Sequence, residues 1–211
     1  MNKLTSNLTP QEELTVASYD QHAKQWSSEH DTSDFWKDEL DLFQKYLPKG
    51  KILEIGCGGG RDAKELIARG YNYIGTDVSE GFVKEAKARL PNTIFLVQSA
   101  YDLKFKNEFD GFWSSATLLH IPHNRINEAL KSINKTLKPG AIGFISIKQG
   151  IGEQVFDEQL HDGTPISRFF SFYQPDEFKE ILLKNGFETL DSKIRPISVR
   201  TTWLIYIVKA I

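Results

Sequence analysis

The 211-residue chain has a single cysteine, Cys57, which excludes internal disulfides and cysteine-cluster metal sites. It has no excess of charge of either sign. Its 26 Lys and Arg against 28 Asp and Glu leave a net charge of −2, which gives no global pull toward nucleic acid or an anionic membrane. Long apolar runs are missing as well. The longest, residues 203–208, is far too short to span a bilayer, and residues 1–10 show no apolar core of a signal peptide. No Gly-Lys-Ser/Thr holds a triphosphate, and no repeat or low-complexity tract interrupts the chain. These absences point to a cytoplasmic protein without membrane or metal, and they do not favour nucleic acid as a partner. What is present is a large apolar inventory, 40% hydrophobic with 14 Phe, 7 Tyr and 4 Trp. That is enough for one sizeable α/β domain spanning residues 1–211.

The stretch that organises the rest is residues 51–62, K-I-L-E-I-G-C-G-G-G-R-D. Alternating apolar residues Ile52, Leu53 and Ile55 break into Gly56, Gly58, Gly59 and Gly60, and helix formers follow, so the spacing predicts strand, glycine turn and helix. Such a turn lets a ligand lie on the backbone and aims a helix N-terminus at it. Gly56 and Gly58 fit the dinucleotide fingerprint, but Arg61 stands where its third glycine belongs. Glu54 adds negative charge where a phosphate ligand would not want it.

Ahead of this stretch, residues 9–29 read as a helix with Thr9 as N-cap, Pro10 at the first position and Glu12 three residues on. Its expected apolar face is Leu14, Ala17, Tyr19, Ala23 and Trp26. Asp34 is the expected cap of a second helix ending near Leu47. Beyond the glycine turn, residues 71–74 predict a second strand ending at Asp77, 21 residues past Gly56 (77 − 56). An acidic side chain there can accept both hydroxyls of a ribose. Residues 93–97 and 109–115 read as two further strands, and 124–137 as a helix closed by L-K-P-G. After the strand at 141–148 the periodicity lapses over residues 149–173, which hold His161, Arg168 and a run of aromatics. Loops this long in a compact domain are usually functional. A helix from Pro175 to Lys184 and strands at 187–195 and 201–209 complete the chain. The last two are so close that they must pair as an antiparallel hairpin.

The string E-x-G-x-G-x-G at Glu54–Gly60, Y-D-Q-H-A-K-Q-W at Tyr19–Trp26 and F-D-G-F-W-S-S-A-T-L-L-H-I-P at Phe109–Pro122 together resemble class I S-adenosylmethionine (AdoMet) dependent methyltransferases of the small-molecule type. The resemblance covers nearly the whole chain from Tyr19 onward. It implies an α/β Rossmann-like fold: a seven-stranded, mostly parallel sheet with helices on both faces and a C-terminal antiparallel hairpin. It implies AdoMet as methyl donor, S-adenosylhomocysteine as product and in-line transfer to an N, O, S or C nucleophile on a small molecule, in a monomer or homodimer.

Residue by residue, the resemblance places the methionine end of AdoMet against Tyr19, Glu54, Gly56, Cys57 and Gly58, with its amino group at the backbone of Ser114 and Ser115. Asp77 and Val78 take the ribose, and Arg61 pairs with the methionine carboxylate or with a neighbouring acid. The family commonly has an acid where this chain has Ser99, which leaves Ala100 and Tyr101 as adenine contacts. His120 falls near the methyl donor, as a proton acceptor or as a structural hydrogen-bonding residue. Residues 1–48 form a helical cap. Residues 149–174 form either a substrate-facing lid, with His161 and Arg168 as polar contacts and Phe170 and Tyr173 as walls, or a hairpin on the sheet edge. Two other readings stand beside this one: an NAD-dependent oxidoreductase, which lacks an obvious hydride partner, and a non-catalytic module that binds protein or RNA.

Overall fold

The computed structural model describes residues 7–32, 34–199 and 201–211; the expectations for residues 1–6, Ser33 and Arg200 lie outside them. Two helices, α1 (Pro10–Glu29) and α2 (Lys37–Tyr46), precede the first strand. The chain then alternates β1 (Lys51–Ile55), α3 (Arg61–Ala68), β2 (Asn72–Asp77), α4 (Glu80–Arg89), β3 (Ile94–Val97), β4 (Phe109–Ser115), α5 (Ile126–Thr136) and β5 (Leu137–Lys148). A hairpin of β6 (Glu153–Gln159) and β7 (Pro165–Ser171) leads to α6 (Pro175–Lys184), β8 (Phe187–Ser198) and β9 (Thr201–Ala210).

Seven of the strands form one sheet in the order β3-β2-β1-β4-β5-β9-β8. The first five run parallel, and β9 inserts antiparallel between β5 and β8. The chain steps one way from β1 to β2 and the other way from β4 to β5. Right-handed crossovers therefore put α3 and α5 on opposite faces. The direction reverses between β1 and β4, and a crevice opens at the strand ends there.

Period-two alternation sorts the core onto the two faces. Trp113 stacks on Phe144 at 3.6 Å between centroids and meets Phe43 of α2 at 5.5 Å. Its neighbour Phe112 faces the other way, against Phe187 at 5.6 Å. A Cβ at Gly143 would come within 2.0 Å of the Phe112 ring, so this strand position admits no side chain.

Four local expectations need correction. Asp34 does not cap α2; Trp36 occupies the N-cap with no side-chain hydrogen bond, and only the Asp34 carbonyl is used, by Lys37 N–H. L-K-P-G is no free turn but the first part of β5, where the register to β4 shifts between Phe109 and Gly111. Residues 149–174 hold the β6–β7 hairpin, a separate two-stranded sheet.

The fourth concerns α1. Its capping box is present, Thr9 with Glu12, but Leu14 is exposed. The buried residues are Glu12, Thr15, Val16, Ala23 and Ser27. The docking face is partly polar because α1 packs on α4 and on β7 rather than on the face of the seven-stranded sheet, and meets β7 through Thr15 and Ser18. Glu12 is its anchor. One carboxylate oxygen closes the capping box and accepts from Arg125 Nη1 at 3.1 Å, and the other accepts from the Tyr101 hydroxyl.

Glu12 is 5% exposed, and removing it takes the acceptor from Tyr101 and one acceptor from Arg125, which keeps Glu128. Hydrogen bonds to charged groups contribute about 2 kcal/mol, so Glu12→Ala should lower the melting temperature by roughly 4–8 °C. A calorimetric scan checks this; an unchanged transition would mean that α1 is held elsewhere.

Candidate active site

The carboxyl ends of β1, β2, β4 and β5, roofed by α1 and bounded by β7, enclose a cavity of about 640 Å³. That is within the size range of small-molecule sites. At its centre the chain leaves β1 through Gly56 (φ +75°) and Gly58 (φ +51°). These two glycines have different causes. A Cβ at Gly56 would lie 2.1 Å from Thr117 Oγ1, whereas one at Gly58 would meet nothing within 4 Å. Packing demands the first glycine; the left-handed turn and an open ligand face explain the second.

Asp77 ends β2 and turns its carboxylate to the loop. Oδ2 accepts from Gly58 N–H at 2.9 Å and Oδ1 from Ser79 N–H at 2.9 Å. Each oxygen keeps a further lone pair for a ligand hydroxyl. Burial pushes its pKa up to about 6, against the pull of these backbone donors. Ser79 caps α4 through its hydroxyl, which accepts from Phe82 N–H and in turn donates to Asp20 Oδ1 of α1.

Glu54 is 2% exposed and accepts from the Tyr73 hydroxyl; burial, with the Asp62 charge second, raises it well above the carboxylate range. Cys57 lines the cavity as a buried thiol, likewise raised by burial. Arg61 Nε donates to Asp62 Oδ1 at 2.6 Å, while Asp62 Oδ2 accepts from Trp113 Nε1 at 2.9 Å. Of the two partners expected for Arg61, the neighbouring acid is the one it holds.

A second group hangs from α1. Arg168 of β7 bonds Glu158 of β6 and donates through Nη1 to the Tyr19 hydroxyl at 3.0 Å. The Tyr19 hydroxyl lies 3.0 Å from His120 Nε2, and His120 Nδ1 lies 2.6 Å from the Phe169 carbonyl. A carbonyl can only accept, so the proton sits on Nδ1 and Nε2 accepts from Tyr19. Burial, with the Arg168 charge second, lowers His120 to about 3. It is a neutral residue with both nitrogens engaged.

Tyr19, Glu54, Gly56, Cys57, Gly58, Arg61, Asp77, Val78, Ala100, Tyr101, Ser115, His120, Arg168 and Phe170 all line the cavity. Three expected residues do not. Ser114 alternates into the sheet and is fully buried, with its hydroxyl unpaired; the strand end is instead presented by Ser115 and Ala116, the latter at φ +53°, a conformation rare outside glycine. Tyr173 packs under the hairpin against His123 and Phe178, at 4.5 and 4.9 Å. His161 sits at the hairpin tip with its side chain 81% exposed, beside Glu29.

Sequence reasoning missed Phe35, Trp36, Lys148 and Trp203, which also line the cavity. Lys148 was within reach, since it is the last residue of an apolar strand and ligands gather at the carboxyl ends of such strands. Trp203 was not, because only the antiparallel register sets it opposite Lys148. Among the described residues no group of three or more His, Cys, Asp or Glu is placed to hold a metal, and no helix is long and apolar enough to cross a membrane.

Residues 52–140 match the family model of the methyltransferase domain. An uncharacterised protein of Methanocaldococcus jannaschii is 28% identical over 176 residues, 82% of each chain. An O-methyltransferase of Aspergillus sclerotiorum is 27% identical over 165 residues, 69% of this chain and 60% of that one. The crystal structure of Burkholderia thailandensis 1,6-didemethyltoxoflavin-N1-methyltransferase, with bound 1,6-didemethyltoxoflavin and S-adenosylhomocysteine, superposes with a TM-score of 0.65. It is 22% identical, covering 96% of this chain and 91% of that one. The match to the methyltransferase domain thus falls on the glycine turn and the point where the strand order reverses, and the whole chain, with its terminal antiparallel hairpin, has the fold of S-adenosylmethionine-dependent methyltransferases.

Proposed function

We propose that the cavity binds AdoMet and that the chain transfers its methyl group to a small-molecule acceptor by in-line displacement. The observation that carries this reading is Asp77. It is a buried carboxylate at the end of β2, fixed by Gly58 and Ser79 N–H, with lone pairs left for two vicinal hydroxyls. The bound cofactor supplies a sulfonium methyl that is already activated toward nucleophiles.

The chain's own groups bind and orient. Asp77 accepts the ribose hydroxyls beside Val78, and Ala100 and Tyr101 flank the adenine. Gly58 leaves its side of the loop open to the methionine part, with Glu54 and Cys57 beneath, Arg61 beside it, and Ser115 with Ala116 at the strand end for the amino group. Tyr19 is held by Arg168 and His120 over the same end. Holding nucleophile and methyl in line supplies most of the rate, since effective molarities of oriented reactants reach on the order of 10⁵ M or more.

His120 is reassigned within this scheme. A base that titrates near 3 and spends both nitrogens on Tyr19 and Phe169 is poorly matched to proton abstraction at neutral pH. We place it as a positioning residue that fixes the Tyr19 hydroxyl. The small-molecule acceptor is supported by the enclosed shape of the cavity, and the relative from Burkholderia, crystallised with a small heterocycle and S-adenosylhomocysteine, fits the same reading.

Calorimetric titration with AdoMet, S-adenosylhomocysteine and NAD should give binding by the first two alone, and Asp77→Ala should weaken it by at least about tenfold. The charged carboxylate is the better hydroxyl acceptor and titrates near 6. The dissociation constant should therefore rise by up to about tenfold for each pH unit below that value. Asp77→Asn should flatten the dependence. A flat profile in the unsubstituted protein would remove the ribose assignment.

His120 gives a second test. Its folded pKa lies below the ordinary 6.5, so the unfolded chain takes up the proton first. Stability is therefore lost as pH falls from about 6.5 toward 3. Denaturant titrations of wild type and His120→Asn should differ in slope by up to about 1.4 kcal/mol per pH unit in that window. Equal slopes would show that His120 is protonated in the fold.

A further inference from the structure

Asp77 ends β2 and Lys148 ends β5, with β1 and β4 between them. Three strand spacings of about 4.8 Å put these positions roughly 14 Å apart along the cavity. If the nucleoside lies at Asp77 and the methionine part over β1 and β4, Lys148 stands beyond the methyl group, in the part left for the acceptor. The inference therefore rests on the methyltransferase reading of this cavity.

That end of the cavity has two properties that the cofactor does not use. Two aromatic lining residues lie there: Phe170 beneath Lys148 and Trp203 opposite it in the β5–β9 register, with Trp36 packed edge-on against Trp203 at 5.5 Å. It also carries positive charge that the chain does not neutralise. Among the described residues no carboxylate lies within ion-pairing distance of Lys148; the nearby Glu158 bonds Arg168. The Lys148 ammonium instead rests over the Phe170 ring, 4.1 Å from its centroid. Burial, with the Arg168 charge second, pulls its pKa below the ordinary lysine value. A half-buried ammonium without a counter-charge costs free energy unless something pairs with it.

We propose that the methyl acceptor is a planar aromatic compound bearing an oxyanion, a carboxylate or an ionised phenol, and that Lys148 is the residue that pairs with that oxyanion. The rings of Phe170, Trp203 and Trp36 enclose the flat body, and the ammonium selects the anionic end. Lys148 is a specificity residue in this scheme, and methyl transfer itself proceeds by the displacement described above.

The test uses the full chain saturated with S-adenosylhomocysteine and a panel of ring compounds in matched pairs. Hydroxybenzoates, hydroxynaphthoates and indole carboxylates are compared with their primary amides, and nitrophenols at mildly alkaline pH with their methyl ethers. Binding is read by thermal shift and then by calorimetry. The expected result is that anionic members bind at least about tenfold tighter than their neutral partners, as for a charged partner that is otherwise left unpaired. Lys148→Met should erase the difference and Lys148→Arg should keep it. The carboxylate and nitrophenol arms tell which oxyanion is recognised. Equal binding of anions and neutrals, an anion preference that survives Lys148→Met, or a panel in which nothing binds overturns the proposal. S-adenosylhomocysteine affinity separates the two levels of failure. If wild type and Lys148→Met both bind it normally, only the acceptor assignment falls. If wild type does not bind it, the methyltransferase reading of the cavity falls first.

Discussion

The polar docking of one helix across the strand ends is what the rest of the site depends on. A parallel sheet by itself presents an open crevice where its strand order reverses. Here α1 closes it, through hydrogen bonds together with the packing of Tyr19 on Phe82 at 4.9 Å. Glu12 holds Tyr101 and Arg125. Thr15 accepts from Phe169 N–H, Ser18 donates to the Ser167 carbonyl, and Asp20 accepts from Ser79 and Gly81. Farther along the helix a Cβ at Gly59 would lie 2.0 Å from Ser27 Oγ, so the glycine loop itself is shaped to receive the helix. These contacts reach Tyr101, β7, the start of α4 and the glycine loop, and α1 thereby sets their relative positions.

A polar lid has a physical consequence. Apolar contacts are lost in proportion to area, whereas hydrogen bonds are directional and exchange readily with water at an opened surface. The hydrogen bonds of α1 thus fix the position of the helix as well as its attachment, alongside the packing of Tyr19 on Phe82. One of them joins three elements: the Tyr19 hydroxyl of α1 is bonded to Arg168 of β7 and to His120 beyond the end of β4.

Much of the architecture was legible because it follows from local rules. The break from alternating Ile52, Leu53 and Ile55 into glycines marks the first βα turn, and the expected cap Thr9 is found at its helix start. The place of Asp77 at the end of β2 was legible too. The failures share one cause, that residue type does not state which of two faces a side chain takes. Ser114 and Ser115 are adjacent and chemically identical, yet strand alternation turns one into the sheet and the other to the cavity. The apolar stripe of α1 was misread because the helix packs on α4 and β7, which buries Glu12 and Thr15 and leaves Leu14 outside. His161 and Arg168 lie seven residues apart in one hairpin. The turn carries the first to solvent, while the register opposite Phe156 brings the second under α1.

The charge pattern along the cavity separates its two ends in a way that no linear motif records. Near the glycine loop the acids Glu54, Asp62 and Asp77 are each bonded to a donor of the chain: Tyr73, Arg61 with Trp113, and the Gly58 and Ser79 amides. That end is finished electrostatically and asks of a ligand only hydroxyls and a compatible shape. At the β5 end Arg168 has Glu158, but Lys148 has a ring in place of an acid. Cation–π contact at such a site is worth about 1–2 kcal/mol, less than a full ion pair in a desolvated setting. The imbalance is therefore a standing preference for an anion, set by the strand register that places Lys148 opposite Trp203. In the proposed scheme substrate choice thus resides where the parallel sheet meets its antiparallel hairpin, away from the glycine turn.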